Sequence, residues 1–346
     1  MNKARPSARP ASPARPARPR VSVVVPTRNE ARNLPHVLTA IPEDVHEVVL
    51  VDGHSTDDTV EVARAVRPGI VVTHQTRRGK GNALAVGFAA VTGDVVVMLD
   101  ADGSADPAEI EAFVGALVAG ADFAKGTRFA LGGGSDDITG IRRLGNAFLN
   151  GLVNVLFGTR YTDLCYGYNA FWADLVPVMD LPATDLPGLT AADKIWGDGF
   201  EIETLINVRV AAAGAVITEV GSVERPRIHG ESNLNAVTDG LRVLRTIVAE
   251  RLRRHPRLPA RPTTTATTNA TSGSAPDAAA RRAAVAAAAS LAATTSELAD
   301  LAARHRAYAE HRTAAARRAD KVVHPGSVRP GVPGPRRSGE VTERSA

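Results

Sequence analysis

Two aspartates stand one residue apart directly after an apolar run, DVVVML at 94–99. Asp100 and Asp102 would follow the carboxyl end of a buried strand, where open α/β sheets bind their ligands. Their carboxylates are suitable ligands for Mg²⁺ or Mn²⁺, and such an ion keeps waters and also takes phosphate oxygens. An isolated pair of this kind is more often a solvated turn, with Asp102 or Ser104 capping the next helix. The surrounding elements must decide between these interpretations.

Four short apolar runs recur at a regular spacing in the first part of the chain. They are VSVVV (21–25), EVVLV (47–51), IVVT (70–73) and DVVVML (94–99). Their starts lie 26, 23 and 24 residues apart, which is typical of successive βαβ units in a parallel sheet. Because the carboxyl ends of parallel strands meet at one edge of a sheet, the polar residues after each run should gather there. This context favours a ligand site.

The residues that follow these runs exclude two common nucleotide sites. The first run is followed by PTRNE, without the G-x-G-x-x-G of a dinucleotide-binding domain. The third is followed by RRGKGN. Its Gly-Lys pair lacks the preceding glycine and the following Ser or Thr of a phosphate-binding P-loop. Basic side chains that would suit a ligand with two phosphates are Lys80, Arg128, Arg142 or Arg143, and Arg227.

Beyond residue 105 the alternation of elements becomes less regular. The patterns predict helices over 107–119, 141–157, 199–213 and 234–254, and strands near 122–125 and 215–220. Three successive glycines predict that LGGGSDDITG (131–140) is a mobile loop. Cys165 has no neighbouring base and is expected to be a small buried residue.

Charge is strongly segregated along the chain. Residues 1–20 carry six basic and no acidic side chains, and residues 251–346 carry 17 basic and 7 acidic ones. Residues 21–250 hold 18 basic and 30 acidic side chains, so the body is acidic and nucleic acid is not an expected partner. We therefore divide the chain into a disordered Pro/Ala/Arg arm (1–20), a folded domain (21–254), and a low-complexity linker with an Ala/Arg-rich, partly helical tail (255–346).

Localisation is indicated by what the sequence lacks. No apolar run reaches the roughly 18 residues of a membrane span, and the first twenty residues contain no signal-peptide core. A single cysteine fits a reducing compartment. We expect a cytoplasmic protein, or one held peripherally at the inner face of the membrane. In that alternative, the basic ends and the amphipathic stretch 241–252 would bind anionic lipid. Otherwise the stretch packs on the domain and the basic tails are inert disordered ends.

A series of ordered blocks between residues 20 and 250 resembles glycosyltransferase family 2, which has the GT-A fold. The first blocks are VSVVVPTRNEARNL, VVLVDGHSTDDT, GKGNALAVG, MLDADGSADP and KGTRF. The later blocks resemble the dolichyl-phosphate mannose synthase-like branch and are IRRLGNAFLN, TDLCYGYNAFW, GFEIET and RPRIHGESNL. The resemblance implies an α/β domain with a mainly parallel sheet flanked by helices. It also implies metal-dependent, inverting transfer of a hexose from a nucleotide diphosphate sugar.

Roles follow from the resemblance by position. The nucleotide sugar would contact Pro26, Arg28, Glu30, Asp52, Lys80, Asp100, Ala101 and Asp102. A Mg²⁺ or Mn²⁺ ion would be held by Asp100 and Asp102, with Ser104 nearby. Donor or acceptor phosphates would bind Arg128, Arg142, Arg143 and Arg227. The catalytic set would be Asp100, Asp102, Arg128 and Glu203.

The acceptor is the open question. A polyprenyl phosphate needs no strong general base, because its oxygen ionises with a pKa of about 6. A soluble hydroxyl acceptor needs one, and Asp198, Glu201 and Glu203 are candidates. Asn169, where the branch usually has an arginine, and the unfamiliar segment 181–196 both bear on this choice.

Two further classes of protein are disfavoured. A degenerate nucleotide- or membrane-binding adaptor would not be expected to keep both aspartates of the Asp-x-Asp pair. A nucleotidyltransferase fits poorly with the PTRNE and RIHGES blocks.

Overall fold

A seven-stranded sheet organises residues 15–230 and 236–258, which are the part of the chain that the computed structural model describes. The strands, in chain order, are β1 (Val21–Thr27), β2 (Glu47–Asp52), β3 (Val71–His74), β4 (Val95–Met98), β5 (Phe123–Thr127), β6 (Gly134–Ser135), β7 (Asn169–Trp172), β8 (Ile217–Gly221) and β9 (Val223–Glu224). The large sheet has the order β3-β2-β1-β4-β7-β5-β8, and β6 pairs with β9 in a small second sheet.

Helices connect the strands. They are α1 (Leu34–Ala40), α2 (Thr59–Val66), α3 (Lys80–Ala90), α4 (Ile110–Val118), α5 (Gly140–Phe157), α6 (Val176–Met179), α7 (Ile202–Ala212) and α8 (Ala236–Leu252). Short 3₁₀ turns, Pro107–Glu109 and Ala173–Leu175, precede α4 and α6. No helix in the described ranges is long and apolar enough to cross a membrane.

The apolar runs form the centre of the sheet, as predicted. β1 pairs in parallel with β2 and β4, and β2 pairs in parallel with β3. Val24, Val49 and Val97 are fully buried, because helices cover both faces of these strands. The prediction of a mainly parallel sheet flanked by helices is confirmed.

One strand departs from the parallel pattern. β7 lies between β4 and β5 and runs antiparallel to both, so Ala170 is paired with Val97 on one side and with Ala124 on the other. The insertion of β7 explains why the regular βα spacing of the sequence ends after β4. It also brings residues 165–168, just before β7, to the carboxyl end of β4.

A second, smaller core lies between α5, α7 and α8. It includes Val153 from α5, Val208 from α7, and Val243 and Ile247 from α8. The apolar face of the amphipathic stretch 241–252 is therefore packed against the domain. The expectation that this stretch lies in a membrane interface is wrong, since burial in the second core already uses its apolar side chains.

Parts of the predicted arm and loop make defined contacts. Arg15 binds Asp122 and Asp174, with its guanidinium 4.9 Å from the ring of Trp172. Within the loop 131–140, β6 pairs with β9, so part of this glycine-rich segment is an ordered edge. Residues 1–14 and 259–346, including most of the predicted tail, lie outside the described residues.

Candidate active site

A cleft of about 1390 Å³ opens at the carboxyl ends of β1 and β4. One wall contains residues 26–30, which begin in the last two residues of β1, and residues 100–102 after β4. The opposite wall is built by α5, residues 165–168, α7 and α8. The sheet edge and the second core thus enclose one continuous space between them.

Asp100 and Asp102 face this cleft because the residue between them points the other way. Ala101 is 3% exposed and packs into the main core. One carboxylate oxygen of Asp102 accepts a hydrogen bond from the Ser104 amide at 2.9 Å. The turn-capping role and the ligand role of Asp102 are therefore compatible, since its second oxygen remains directed at another partner.

Lys80 connects the aspartate pair to the opposite wall. Its Nζ lies 2.7 Å from Asp100 Oδ1 and 2.8 Å from Glu203 Oε1. Burial by itself lowers the pKa of Lys80, but the two carboxylates outweigh it and raise the pKa above its ordinary value. Burial raises the pKa of Glu203, and Lys80 opposes that change. Lys80 is thus a fixed cation at the floor of the cleft.

Arg227 makes the corresponding connection for the second aspartate. Its guanidinium lies 2.9 Å from Asp102 Oδ2 and 3.1 Å from Glu30 Oε1. Burial raises the pKa of Glu30 above its ordinary value, and hydrogen bonds from Asn33 and Arg227 reduce that rise. Each carboxylate of the Asp-x-Asp pair therefore has a basic side chain within salt-bridge distance.

The donor set fits a hard divalent cation. Magnesium in phosphate-transfer sites is typically bound through one or two carboxylates, with waters and substrate phosphates completing the shell. Asp100 and Asp102 supply two carboxylates, and the side chain of Asp100 is 38% exposed. No group of three or more His, Cys, Asp or Glu side chains suited to a metal occurs among residues 15–230 and 236–258. Phosphate and water oxygens would have to complete the coordination.

Of the other predicted nucleotide contacts, two line the cleft and one lies beside it. Pro26 and Arg28 line the cleft beside Glu30. Asp52 is 3% exposed at the end of β2, where it accepts hydrogen bonds from the Ser55 amide and faces Nδ1 of His74 at 3.3 Å. It lies beside the cleft rather than among the side chains that line it.

Arg128 lines the cleft but is held by acids. Its guanidinium donates to both oxygens of Asp163, at 2.7 and 2.9 Å, and to Glu224 at 2.9 Å. Burial alone lowers the pKa of Arg128, and these carboxylates raise it above the ordinary value. The structure therefore places Arg128 in a buried network at the cleft wall.

The structure separates the two candidate arginines of α5. Arg142 lines the cleft and pairs with exposed Asp137 at 3.0 Å. Arg143 points to a different side, with its guanidinium 5.6 Å from the ring of Phe129.

The three candidate bases have different surroundings. Asp198 is 1% exposed and makes a bidentate ion pair with Arg77. Glu201 accepts hydrogen bonds from the amides of Gly197 and Gly199. Glu203, in contrast, lines the cleft. A base that acts directly on an acceptor would therefore be Glu203.

Some side chains of the cleft were assigned no role from the sequence. Arg78 and Lys194 line it. Their positive charge in an acidic body is the sequence feature that could have indicated a role in binding an anionic ligand. Cys165 is exposed to the cleft, so the expectation of a buried residue is wrong. Desolvation by the surrounding protein, together with Asp163 and Glu203, raises the pKa of its thiol to about 12, which makes it a poor nucleophile.

Comparisons with known proteins indicate one family for the chain. The family model "Glycosyl transferase family 2" matches residues 22–174. An uncharacterized glycosyltransferase of Mycobacterium tuberculosis is 32% identical over 220 residues, which are 64% of this chain and 92% of that protein. The chain belongs to glycosyltransferase family 2. The resemblance inferred from the ordered sequence blocks is confirmed.

The comparisons also agree with the predicted branch. An undecaprenyl-phosphate mannosyltransferase of Micrococcus luteus is 31% identical over 227 residues, covering 62% of this chain and 88% of the relative. A glucosyl-3-phosphoglycerate synthase of M. tuberculosis, crystallised with Mn²⁺, UDP and phosphoglyceric acid, has a TM-score of 0.52 at 23% identity. That match covers 71% of this chain and 80% of the other, and it shows that the GT-A-like fold is shared.

Proposed function

We propose that this family 2 transferase moves a hexose from a nucleoside diphosphate sugar to a polyprenyl phosphate, with inversion. The observation that carries the proposal is the pairing of Asp100 with Lys80 and of Asp102 with Arg227 on one wall of the cleft. A metal-bound diphosphate needs carboxylates for the ion and cations for its oxygens, and these four side chains provide both. The undecaprenyl-phosphate mannosyltransferase relative supports the acceptor class.

Asp100 and Asp102 would hold the Mg²⁺ or Mn²⁺ ion, with Ser104 beside them. When bound, the ion supplies Lewis-acid stabilisation of the charge that develops on the leaving nucleoside diphosphate. Lys80 and Arg227 are placed to donate hydrogen bonds to phosphate oxygens, because they already contact the two aspartates. The Mn²⁺ and UDP of the structural neighbour support this ion and this ligand class.

The remaining donor contacts would come from the first two strands. Pro26, Arg28 and Glu30 line the cleft together with Ala101, which stands between the two aspartates. We propose Asp52 for recognition of the base, since its register partner on β1 is Thr27, which lines the cleft.

The acceptor phosphate would bind on the α5 side. Arg142 pairs only with an exposed acid, Asp137, among the contacts described, so a phosphate can replace that partner at low cost. Arg128 would have to give up Asp163 or Glu224, and Arg143 would have to turn away from Phe129. A phosphate acceptor is already ionised, so Glu203 can remain bound to Lys80 and need not remove a proton.

A soluble hydroxyl acceptor is the alternative. Glu203 lines the cleft, and burial raises its pKa toward the range that is useful for a general base. The phosphoglyceric acid of the structural neighbour is an acceptor-sized soluble molecule of this kind. An adaptor with a degenerate site is a third alternative from a different class.

One incubation experiment separates these functions. Purified protein is mixed with a panel of nucleotide sugars and Mn²⁺, with and without polyprenyl phosphate or phosphoglyceric acid, and products are identified by mass. A glycosylated lipid phosphate supports the proposal, and transfer restricted to the soluble acceptor supports the alternative. Nucleotide binding without any donor turnover would indicate an adaptor.

A lipid acceptor requires access to a membrane, and α5 offers a suitable face. Leu144 is 75% exposed and Phe148, one turn later, is 53% exposed. Arg143 precedes Leu144 in the chain and places its guanidinium 5.6 Å from the ring of Phe129, which combines positive charge with apolar surface. Arg142 and Leu149 of the same helix line the cleft, so this face borders its mouth. We propose a peripheral position at the inner face of the membrane through this surface, in place of the stretch 241–252.

Replacing Leu144 and Phe148 together by Ser should weaken binding to anionic vesicles at least about tenfold, since burying each side chain is worth about 1.5–3 kcal/mol. Vesicle co-sedimentation measures the effect. Val118→Ser, at a residue 44% exposed on α4, is the matched control and should bind as the wild type does. Equal binding of the double variant and the control would exclude this face as the contact.

A further inference from the structure

A buried ion pair joins the loop before α3 to Asp198, two residues beyond the unfamiliar segment 181–196. Arg77 and Asp198 are each 1% exposed, and the guanidinium donates to both carboxylate oxygens at 2.9 and 3.0 Å. The two residues lie 121 positions apart. A buried bidentate pair of this kind fixes geometry, since neither group can leave the other without stranding a charge.

Further hydrogen bonds join the loop before α3 to the segment 181–196 itself. Arg77 also donates to the Ala183 carbonyl at 2.8 Å. The Thr76 hydroxyl donates to the Thr184 carbonyl at 2.6 Å, and the Arg78 amide donates to the Asp193 carbonyl at 2.8 Å. These three hydrogen bonds therefore hold the segment 181–196 against residues 76–78, which shortly precede Lys80.

The contact continues along the backbone on both sides of Lys80. The Gly81 amide donates to the Asp198 carbonyl at 2.9 Å. A Cβ at Gly79 would overlap the Asp198 carbonyl oxygen, and a Cβ at Gly81 would overlap that of Gly197. Gly79 also has a φ of 135°, which side chains disfavour. The Gly-Lys-Gly sequence thus permits the closest approach of the two backbones at Lys80 itself.

We propose that Asp198, acting through Arg77, is a positioning residue that fixes Lys80 between Asp100 and Glu203. Asp198 lies shortly before α7, which carries Glu203. The contacts of Asp198 with Arg77 and Gly81 therefore fix both the backbone at Lys80 and the start of the helix that carries its partner Glu203. The inference rests on the proposed function for the use of Lys80, but the placement of Lys80 is tested without it. Asp198 therefore acts as neither a base nor a ligand.

A second buried ion pair provides a matched control. Arg209 and Glu250 form a bidentate pair at 2.8 and 3.0 Å, with side chains 3% and 0% exposed. This pair joins α7 to α8 at a distance in sequence from the Lys80 loop. Glu250→Gln should cost stability much as Asp198→Asn does, and the contacts described for Arg209 and Glu250 include none with residues 76–81.

The first measurement is the rate at which acetic anhydride modifies Lys80, followed by peptide mass spectrometry below the melting temperature of each variant. Asp198→Asn should raise the rate severalfold, because a Lys80 amine that is no longer held between Asp100 and Glu203 is more open to the reagent. Asp198→Glu should restore slow modification, and Glu250→Gln should leave it unchanged. Wild-type reactivity of Lys80 in Asp198→Asn would overturn the proposal, whatever reaction the protein catalyses.

The second measurement is a double-mutant cycle on sugar transfer. Asp198→Asn should lower kcat severalfold in the wild-type background and cause no further loss when Lys80→Met is already present. Multiplicative losses would mean that Asp198 acts by another route, which contradicts the proposal. Absence of transfer by the wild type would instead count against the proposed function, and the modification experiment would still decide the placement of Lys80.

Discussion

Replacing Asp102 by Asn is expected to lower the rate of sugar transfer by about 100- to 1000-fold, which corresponds to about 3–4 kcal/mol of transition-state stabilisation. The substitution keeps the size of the side chain but removes an anionic ligand from a site that must hold a divalent ion. It also removes one of the two ion pairs of Arg227, which then pairs with Glu30 only. Initial rates measured across a range of Mn²⁺ concentrations test the expectation.

A control is available at the other end of the same strand. Asp94 precedes β4, pairs with Arg20, and lies at the opposite edge of the sheet from the cleft. Asp94→Asn should therefore keep near-wild-type turnover, and both variants should fold, because neither side chain belongs to the apolar core. Wild-type turnover by Asp102→Asn in saturating Mn²⁺ would contradict a metal role for the aspartate pair.

The half of the site that lies on regular βα units could be predicted from the sequence. β1, β2 and β4 are buried on both faces, so their residues form uninterrupted apolar runs, and the polar residues that follow are easy to locate. The positions of Asp100, Asp102, Pro26 and Glu30 at strand ends follow in this way, whereas the roles of Pro26 and Glu30 follow from the resemblance to the family. Their grouping in one cleft needs only the rule that parallel strands end at one edge.

Long-range ion pairs could not be predicted, because they depend on how distant segments fold back. Glu30 and Arg227 are 197 positions apart, and Arg77 and Asp198 are 121 apart. No local pattern indicates that β7 runs antiparallel between β4 and β5, although this strand brings Cys165 to the cleft. The amphipathic pattern of 241–252 predicts a helix, which α8 confirms, but only the fold shows that its apolar face packs against α5 and α7.

Replacing Lys80 by Met is expected to have opposite effects on metal binding and on catalysis. Lys80 Nζ lies 2.7 Å from Asp100 Oδ1, so the ammonium competes with a divalent ion for that carboxylate. Its removal should tighten Mn²⁺ binding about tenfold, or roughly 1.4 kcal/mol. Transfer should nevertheless fall by about 100-fold, since a charged donor to the diphosphate is lost.

The conservative substitution Lys80→Arg separates charge from geometry in this experiment. Arginine keeps the positive charge beside Asp100 and Glu203, so Mn²⁺ affinity should stay near the wild-type value, as followed by the signal of free Mn²⁺ in electron paramagnetic resonance. Transfer should still decline, because the larger guanidinium does not fit a space shaped around one nitrogen between two carboxylates. If Lys80→Met bound Mn²⁺ more weakly than the wild type, Lys80 would be stabilising the ion's site rather than competing for it. The proposed competition between Lys80 and the ion for Asp100 would then be wrong.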